Sequence, residues 1–279
     1  MKTMYIAAAV SVAALATPAF AQDDNGDRWT GGYAGISLGD NISDGGDGET
    51  LVFDTNRDGT FDNSVTTAAG ANAFSPGFCG GSTFANTPTN GCDDDDRGLA
   101  ISGFAGYDRQ VGPLVLGAVV ELGSSEVGDS VTGFSTTPAS YTFTREIDLQ
   151  ANFRARAGLA LNNTLIYGTG GLAYAQVDNS FTTTNGFNTF TEVQQDEAEW
   201  GYTVGGGVEQ RLGDSLSLGV LYRYTDLGST DYTVNAGNGT PPSTTNPFVN
   251  PTTTAGSTDI RRSGDFDYHS IAATLSFRF

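Results

Sequence analysis

Apolar residues alternate with polar or small ones, with a period of two, along eight stretches of the chain. They run from Gly31 to Gly39, Gly98 to Asp108, Leu114 to Gly123, Phe143 to Leu161, Thr164 to Val177, Glu199 to Arg211, Ser215 to Leu227 and Asp267 to Phe279. A period of two predicts strands with unlike faces. In the fourth stretch the alternation is clearest over Asn152 to Leu161. The connections are sorted by length. Gln110 to Pro113, Asn162-Asn163 and Gly213-Asp214 read as tight hairpin turns. The remaining four, residues 40–97, 124–142, 178–198 and 228–266, are long. A soluble sandwich has no reason to sort its loops in this way, whereas an outer-membrane barrel has turns on the periplasmic side and loops outside.

The two faces of these strands sharpen that expectation. Arg154 and Arg156 oppose Phe153, Ala155, Leu159 and Leu161; Glu121 opposes Leu116, Ala118, Val120 and Leu122. Glu209 and Thr203 oppose Tyr202, Val204 and Val208. Arg223 opposes Leu218, Val220, Tyr222 and Tyr224, and Arg278 opposes Ile271, Ala273, Leu275, Phe277 and Phe279. Eight strands enclose room for little more than their own side chains. An apolar outside with charges inside therefore fits a bilayer better than a soluble core. The predicted fold is all-β: an eight-stranded antiparallel transmembrane β-barrel with short periplasmic turns and four long external loops. Tyr167, Tyr202, Tyr222, Tyr224, Phe277 and Phe279 are expected to form its aromatic girdles.

Composition agrees. The 279 residues include 38 Gly, a load that disfavours helices, and 17 Phe with 11 Tyr. Mean hydropathy is −0.21, and after the first residues no apolar run approaches the length of a spanning helix. The formal charge of −19 argues against nucleic acid as a partner, which would call for a basic face. Residues 1–21 read as a signal peptide. Lys2 is its positive end, Tyr5 to Leu15 its apolar stretch, and Thr17-Pro18-Ala19-Phe20-Ala21 a cleavage site before Gln22. The barrel domain is then 22–279. Export into an oxidising compartment makes Cys79 and Cys92, the only cysteines, candidates for a disulfide; two free thiols are the alternative. Closing that loop would contribute about 3 kcal/mol.

Taken in order, several pieces resemble the small outer-membrane β-barrel family of Gram-negative bacteria, porin-like and opacity-protein-like, with an eight-stranded OmpA-type barrel. They are Trp29-Thr30-Gly31-Gly32-Tyr33-Ala34-Gly35, Arg154-Ala155-Arg156-Ala157-Gly158, Leu165 to Tyr174, Gly205-Gly206-Gly207-Val208-Glu209, Leu221 to Gly228 and Ser276-Phe277-Arg278-Phe279. The resemblance covers the strands and leaves out the long loops. It implies residence in the outer membrane, contact with its lipid, and a C-terminal Phe279 read by the barrel-assembly machinery. The first loop departs from the pattern by its length and acidity. Residues 40–97 carry eleven acidic side chains against Arg57 and Arg97.

Three sets of residues carry candidate chemistry. Glu121, Arg154, Arg156, Glu209, Arg223 and Arg278 face inward, either as a salt-bridged plug or as the lining of a narrow diffusion pore. An unpaired charge in so small a lumen is costly, which favours the plug. Asp54, Asn56, Asp58, Thr60 and Asp62 match the start of a Ca²⁺ loop, with Gly59 at the sixth place. Val65 stands where the bidentate Glu belongs, so the alternative is a solvated acidic loop. Asp93 to Asp96 could add carboxylates. His269, the only histidine, would be the base of an outer-membrane enzyme. Its neighbour Ser270 points to the opposite face of the strand, so the two cannot act together. The expected role is non-enzymatic, structural and surface-exposed; a porin is the alternative, and an enzyme a distant third. An extracellular partner is not specified by the sequence. The Pro/Thr/Asn-rich stretch 237–258 reads as a flexible loop tip.

Overall fold

The computed structural model describes residues 28–43, 48–93, 95, 97–193, 196–239, 245–249 and 256–279. The expected leader, residues 1–21, lies outside them, as do 240–244 and 250–255 of the loop tip. The described residues form fourteen strands: β1 (Gly31–Ser43), β2 (Leu51–Asp54), β3 (Gly77–Gly80), β4 (Gly98–Val111), β5 (Leu114–Ser125), β6 (Gly128–Ser135) and β7 (Ala139–Leu161). The others are β8 (Thr164–Thr183), β9 (Thr189–Val193), β10 (Asp196–Arg211), β11 (Leu216–Asp226), β12 (Thr233–Gly237), β13 (Thr258–Arg262) and β14 (Asp267–Arg278).

Eight of them form a closed antiparallel ring, β1-β4-β5-β7-β8-β10-β11-β14, and β14 pairs back onto β1. All eight stretches of alternation are barrel strands. The seam aligns Tyr33 with Arg278 and Ser43 with Tyr268. The short turns lie where the sequence puts them. Gly112 and Asn162 both adopt positive φ, +60° and +56°, which Gly and Asn tolerate and larger residues resist.

The barrel is inside out relative to a soluble protein. Ile36, Phe153, Ile166, Leu172 and Val220 are more than half exposed on the outer wall, whereas Arg154 and Arg223 inside are 3% and 4% exposed. A belt of that kind is stable only against lipid. Tyr107, Phe277 and Phe279 mark its lower rim, and Tyr174, Trp200, Tyr202, Tyr222 and Tyr224 lie toward the upper one. Tyr167 is a correction. It points into the lumen, where the Arg156 guanidinium lies 4.9 Å from its ring centroid. It shares the inward parity of Leu165 and Thr169 on β8, a parity that the girdle expectation for this residue set aside.

The strands outrun the membrane. β7 has 23 residues and β8 has 20, about twice the 9–11 needed to cross. A bulge between Ile147 and Leu149 marks the change. Above it the odd-numbered Tyr141, Phe143, Arg145 and Ile147 face inward; below it the even-numbered Gln150, Asn152, Arg154 and Arg156 do. One inserted residue flips the parity of everything beyond it.

The long connections are folded rather than loose, which corrects their reading as loops. β6 pairs with the top of β7 and with β3. β2, β13, β12 and β9 make a separate four-stranded sheet. Its inner face packs on the barrel extension through Phe53, Val131, Tyr141, Phe143, Tyr232, Val234, Phe248 and Ile260. Aromatic rings dominate, with Phe143 5.0 Å from Phe181 and 5.7 Å from Tyr232 between centroids. The loop tip at 237–258 is accordingly anchored on both sides: Phe248 is 3% exposed and its carbonyl accepts the Thr258 hydroxyl at 2.8 Å. Cys79 and Cys92 are joined in a disulfide at the edge of this cap.

Cap and barrel thus have separate cores. Phe143→Ala should cost about 3–5 kcal/mol, as large-to-small core changes do, and the loss should fall on the cap. Limited proteolysis should cut the cap residues of the variant faster than those of the wild type. Heat-modifiable gel migration of the barrel should persist; its disappearance would mean that the two cores are one.

Candidate functional site

The lumen is built in layers. At the periplasmic end Trp29, Val115 and Leu165 are fully buried together. Above them Asp108, Arg156, Glu209 and Arg278 form a neutral ring of charges. Arg156 Nε donates to Asp108 Oδ1 at 2.8 Å, and its Nη2 reaches Asp108 Oδ2. Its Nη1 donates to Glu209 Oε2 at 3.1 Å. Arg278 Nη2 bridges Asp108 Oδ2 at 2.7 Å and Glu209 Oε1 at 3.4 Å. Both guanidiniums lie over the Tyr33 ring, at 4.6 and 4.7 Å. A second cluster stands higher. Glu121 accepts from Arg154 Nη2 at 2.5 Å and from Arg223 Nη1 at 2.8 Å.

The structure brings Glu121, Arg154, Arg156, Glu209, Arg223 and Arg278 into these two clusters. The sequence reading missed Asp108, fully buried and shared by two arginines. The signal was present: Ser102, Asp108 and Gln110 share one face of β4. Gly106 and Gly117 make the room. A Cβ on Gly106 would meet the Tyr33 ring at 2.4 Å, and one on Gly117 would meet Asp108 Oδ1 at 2.0 Å. Between the clusters remains a cavity of about 30 Å³, lined by Tyr33, Glu121, Arg154, Arg156, Tyr167 and Glu209 among others. That is room for an ordered water or a small ion and for little else. Higher still, Tyr268 donates to Gln150 Oε1 and Ser270 to Asn41 Oδ1. An apolar layer of Val127, Ile147, Ala175, Val177, Leu227, Phe266 and Tyr268 then closes the mouth.

Over this layer sits a third charged group, outside the membrane span. Arg145 Nε donates to Asp129 Oδ2 at 2.7 Å, and Arg262 Nη2 donates to the same oxygen at 2.8 Å. Glu49 pairs with both arginines, and the Arg145 guanidinium lies 4.4 Å from the Phe266 centroid. Asp95 adds a third carboxylate and accepts the Ser130 N–H at 2.7 Å. Burial, and then the neighbouring Asp129, push its carboxyl up to about 7. Burial likewise raises Glu49, whereas Arg145 and Arg262 hold Asp129 low despite its burial.

The loop with the partial calcium pattern uses its carboxylates on itself. Asp54 Oδ1 accepts Arg57 N at 2.5 Å and Asp58 N at 3.3 Å, and Oδ2 accepts Gly59 N at 2.8 Å. Asp58 accepts Thr60 N and the Asn56 amide, and Asp62 accepts the Asn63 amide. Asp95 is turned away, toward Ser130. Among the described residues no group of three or more His, Cys, Asp or Glu side chains is arranged to hold a metal ion. The loop instead walls a groove of about 570 Å³ on the outer face of the four-stranded sheet, with Phe61, Val193, Asn235, Asp259 and Arg261. His269 stacks against Tyr222 on the outer wall, 2.7 Å from its hydroxyl, while Ser270 is buried in the lumen.

A closed eight-stranded ring with a lipid-facing belt, a charged interior and a folded external cap defines an outer-membrane β-barrel protein. The family profile described as outer membrane protein beta-barrel domain matches residues 7–279. The chain belongs to this family. It is 31% identical over 160 residues to a 22 kDa outer membrane protein of Rhizobium leguminosarum bv. viciae, covering 57% of this chain and 67% of that one. It is 29% identical over 230 residues to a 31 kDa outer-membrane immunogenic protein of Brucella melitensis, covering 81% and 82%. Among solved structures, the outer membrane protein OprG of Pseudomonas aeruginosa aligns with a TM-score of 0.47 at 12% identity, covering 90% of this chain and 97% of that one.

Two outcomes follow. Glu121→Ala leaves Arg154 and Arg223 buried without their shared counterion, and breaking such a pair costs about 3–5 kcal/mol. The urea midpoint of the folded band in gel-shift assays should fall; an unchanged midpoint would show the cluster to be energetically idle. Asp95 titrates near 7 when folded and near 3.9 when unfolded. The folded cap therefore holds a proton that the unfolded segment releases, and its stability falls as pH rises between those values. Glu49 acts in the same direction. Hydrogen exchange at the Ser130 amide, corrected for its intrinsic pH dependence, should accelerate from about pH 4 to about pH 7 and level off above it, and Asp95→Asn should flatten that rise.

Proposed function

We propose that the protein is a non-enzymatic structural barrel that carries a rigid folded cap at the cell surface, rather than a pore. The observation that carries this reading is the filled lumen. Two ion-pair clusters and two apolar layers cross it, and the cavity left between the clusters is about 30 Å³. A diffusing solute would have to separate buried ion pairs. Each costs several kcal/mol to break, so passage would be slow.

The non-enzymatic part rests on His269. Its ring lies among tyrosines on the lipid-facing wall, and the adjacent Ser270 hydroxyl is on the other side of the strand. The surface role draws on the cap, whose aromatic core fixes the four connections in one shape, and on the Brucella relatives that carry the name immunogenic. Such a cap displays a constant surface, with the groove beside Phe61 and Arg261 as the place where an extracellular partner would meet it. Phe279, on the outward parity of the last residues, is kept in this proposal as the signal for the assembly machinery.

Planar-bilayer recording on refolded protein tests the reading. The expected result is no steady conductance. Steady openings that shrink in Arg154→Gln or Glu209→Gln would replace it with a narrow diffusion porin, because current would then run past those side chains.

A further inference from the structure

The polar groups around the lumen cavity do not balance, and the imbalance has a direction. Glu121 and Glu209 line it, but each of their four carboxylate oxygens already accepts a guanidinium N–H. On the donor side, Arg154 and Tyr33 line the same cavity, and Arg154 Nε and the Tyr33 hydroxyl are buried without a protein acceptor. Arg154 as a residue is 3% exposed and Tyr33 is 1% exposed. Arg223 Nε, in the same cluster as Arg154, is also without an acceptor.

Charge counting points the same way. The lower cluster has two carboxylates, Asp108 and Glu209, and two guanidiniums, Arg156 and Arg278. The upper one has two guanidiniums, Arg154 and Arg223, on the single carboxylate of Glu121. The excess positive charge sits in the cluster of Arg154 and Arg223, both of whose Nε–H groups lack acceptors; in the balanced lower cluster Arg278 Nε lacks one as well, but there the carboxylates match the guanidiniums in number. A charge left uncompensated at such depth costs several kcal/mol. A water molecule could accept from Arg154 but would bring two hydrogens of its own and no charge. A small monatomic anion accepts from every side and cancels the excess.

We propose that the cavity beside Arg154 is a binding site for one halide ion, with chloride as the ordinary occupant. Arg154 Nε–H and the Tyr33 hydroxyl donate to it, and the Tyr167 and Val119 side chains wall it off. The volume of about 30 Å³ admits a halide and is too small for an ion as bulky as gluconate. Its function is to complete the charge balance of the upper cluster, so the folded barrel should be more stable in halide than in a large anion.

The test uses the refolded full chain in detergent. Crystals grown or soaked with bromide should show an anomalous peak within hydrogen-bonding reach of Arg154 Nε, and the melting temperature at constant ionic strength should be several degrees higher in chloride or bromide than in gluconate. Val119→Phe, which fills the cavity and leaves every charge in place, should lose both signals while keeping heat-modifiable migration. Arg154→Gln should lose them too, and the Val119 variant covers the case in which it fails to fold. No bromide peak beside Arg154, or a halide dependence that survives in Val119→Phe, overturns the site and leaves water as the filling. Conductance is independent of this outcome, since a sealed and a leaky lumen would show the same peak.

Discussion

Everything in this molecule depends on charge pairing in a space too narrow for bulk water. The barrel's outer wall has to be apolar because lipid touches it. Alternation then hands the opposite face of every strand to the lumen, and the polar residues there cannot be solvated. The two clusters around Asp108 and Glu121 meet that constraint. Each arginine comes from one strand and its carboxylates from others: Asp108 from β4, Glu121 from β5, Arg154 and Arg156 from β7, Glu209 from β10, Arg223 from β11 and Arg278 from β14. The clusters therefore link six of the eight strands from within, across gaps of up to 170 residues.

The cap obeys a different rule. Above the bulge at Ile147 the chain leaves the membrane and buries aromatics in the ordinary sense, inward from water. Between the two regimes lies the group of Arg145, Asp129, Arg262, Glu49 and Asp95. It ties the first connection, β6, β7 and β13 to one another at the barrel mouth. Three carboxylates share two arginines there, and burial, followed by the neighbouring Asp129, is what raises Asp95. The joint between cap and barrel thus carries a carboxyl that titrates near neutral pH.

The barrel was legible in the sequence because its signal is local. A period of two, Asn162 and Gly112 in tight turns, and Arg154 opposite Phe153 are each readable within a few residues. The fourth strand shows the limit. Its alternation fades before Asn152 because the bulge reverses parity, and a pattern search has no means of knowing where an extra residue is inserted. The cap was illegible for another reason. Strands of four or five residues such as Leu51–Asp54 and Thr258–Arg262 are held by partners some 200 positions away, and their own sequences look like loop. The inward charges could be sorted by face, but their pairing could not, since that is set by the register of strands that meet only on closure. Asp108 was missed although its parity was available, and Tyr167 was misplaced because aromatic identity outweighed parity.

The seam between the first and last barrel strands has a further consequence. Arg278, next to the final residue, reaches across it to the Trp29 carbonyl, lies over the Trp29 and Tyr33 rings, and completes the ring on Asp108 and Glu209. Until β14 arrives, Asp108 and Glu209 share one arginine too few. The last strand to be made therefore carries the counterion that the earlier ones are waiting for. A ring shut out of that register would leave Asp108 and Glu209 with Arg156 alone, a buried charge without a mate at the point where the sheet closes on itself.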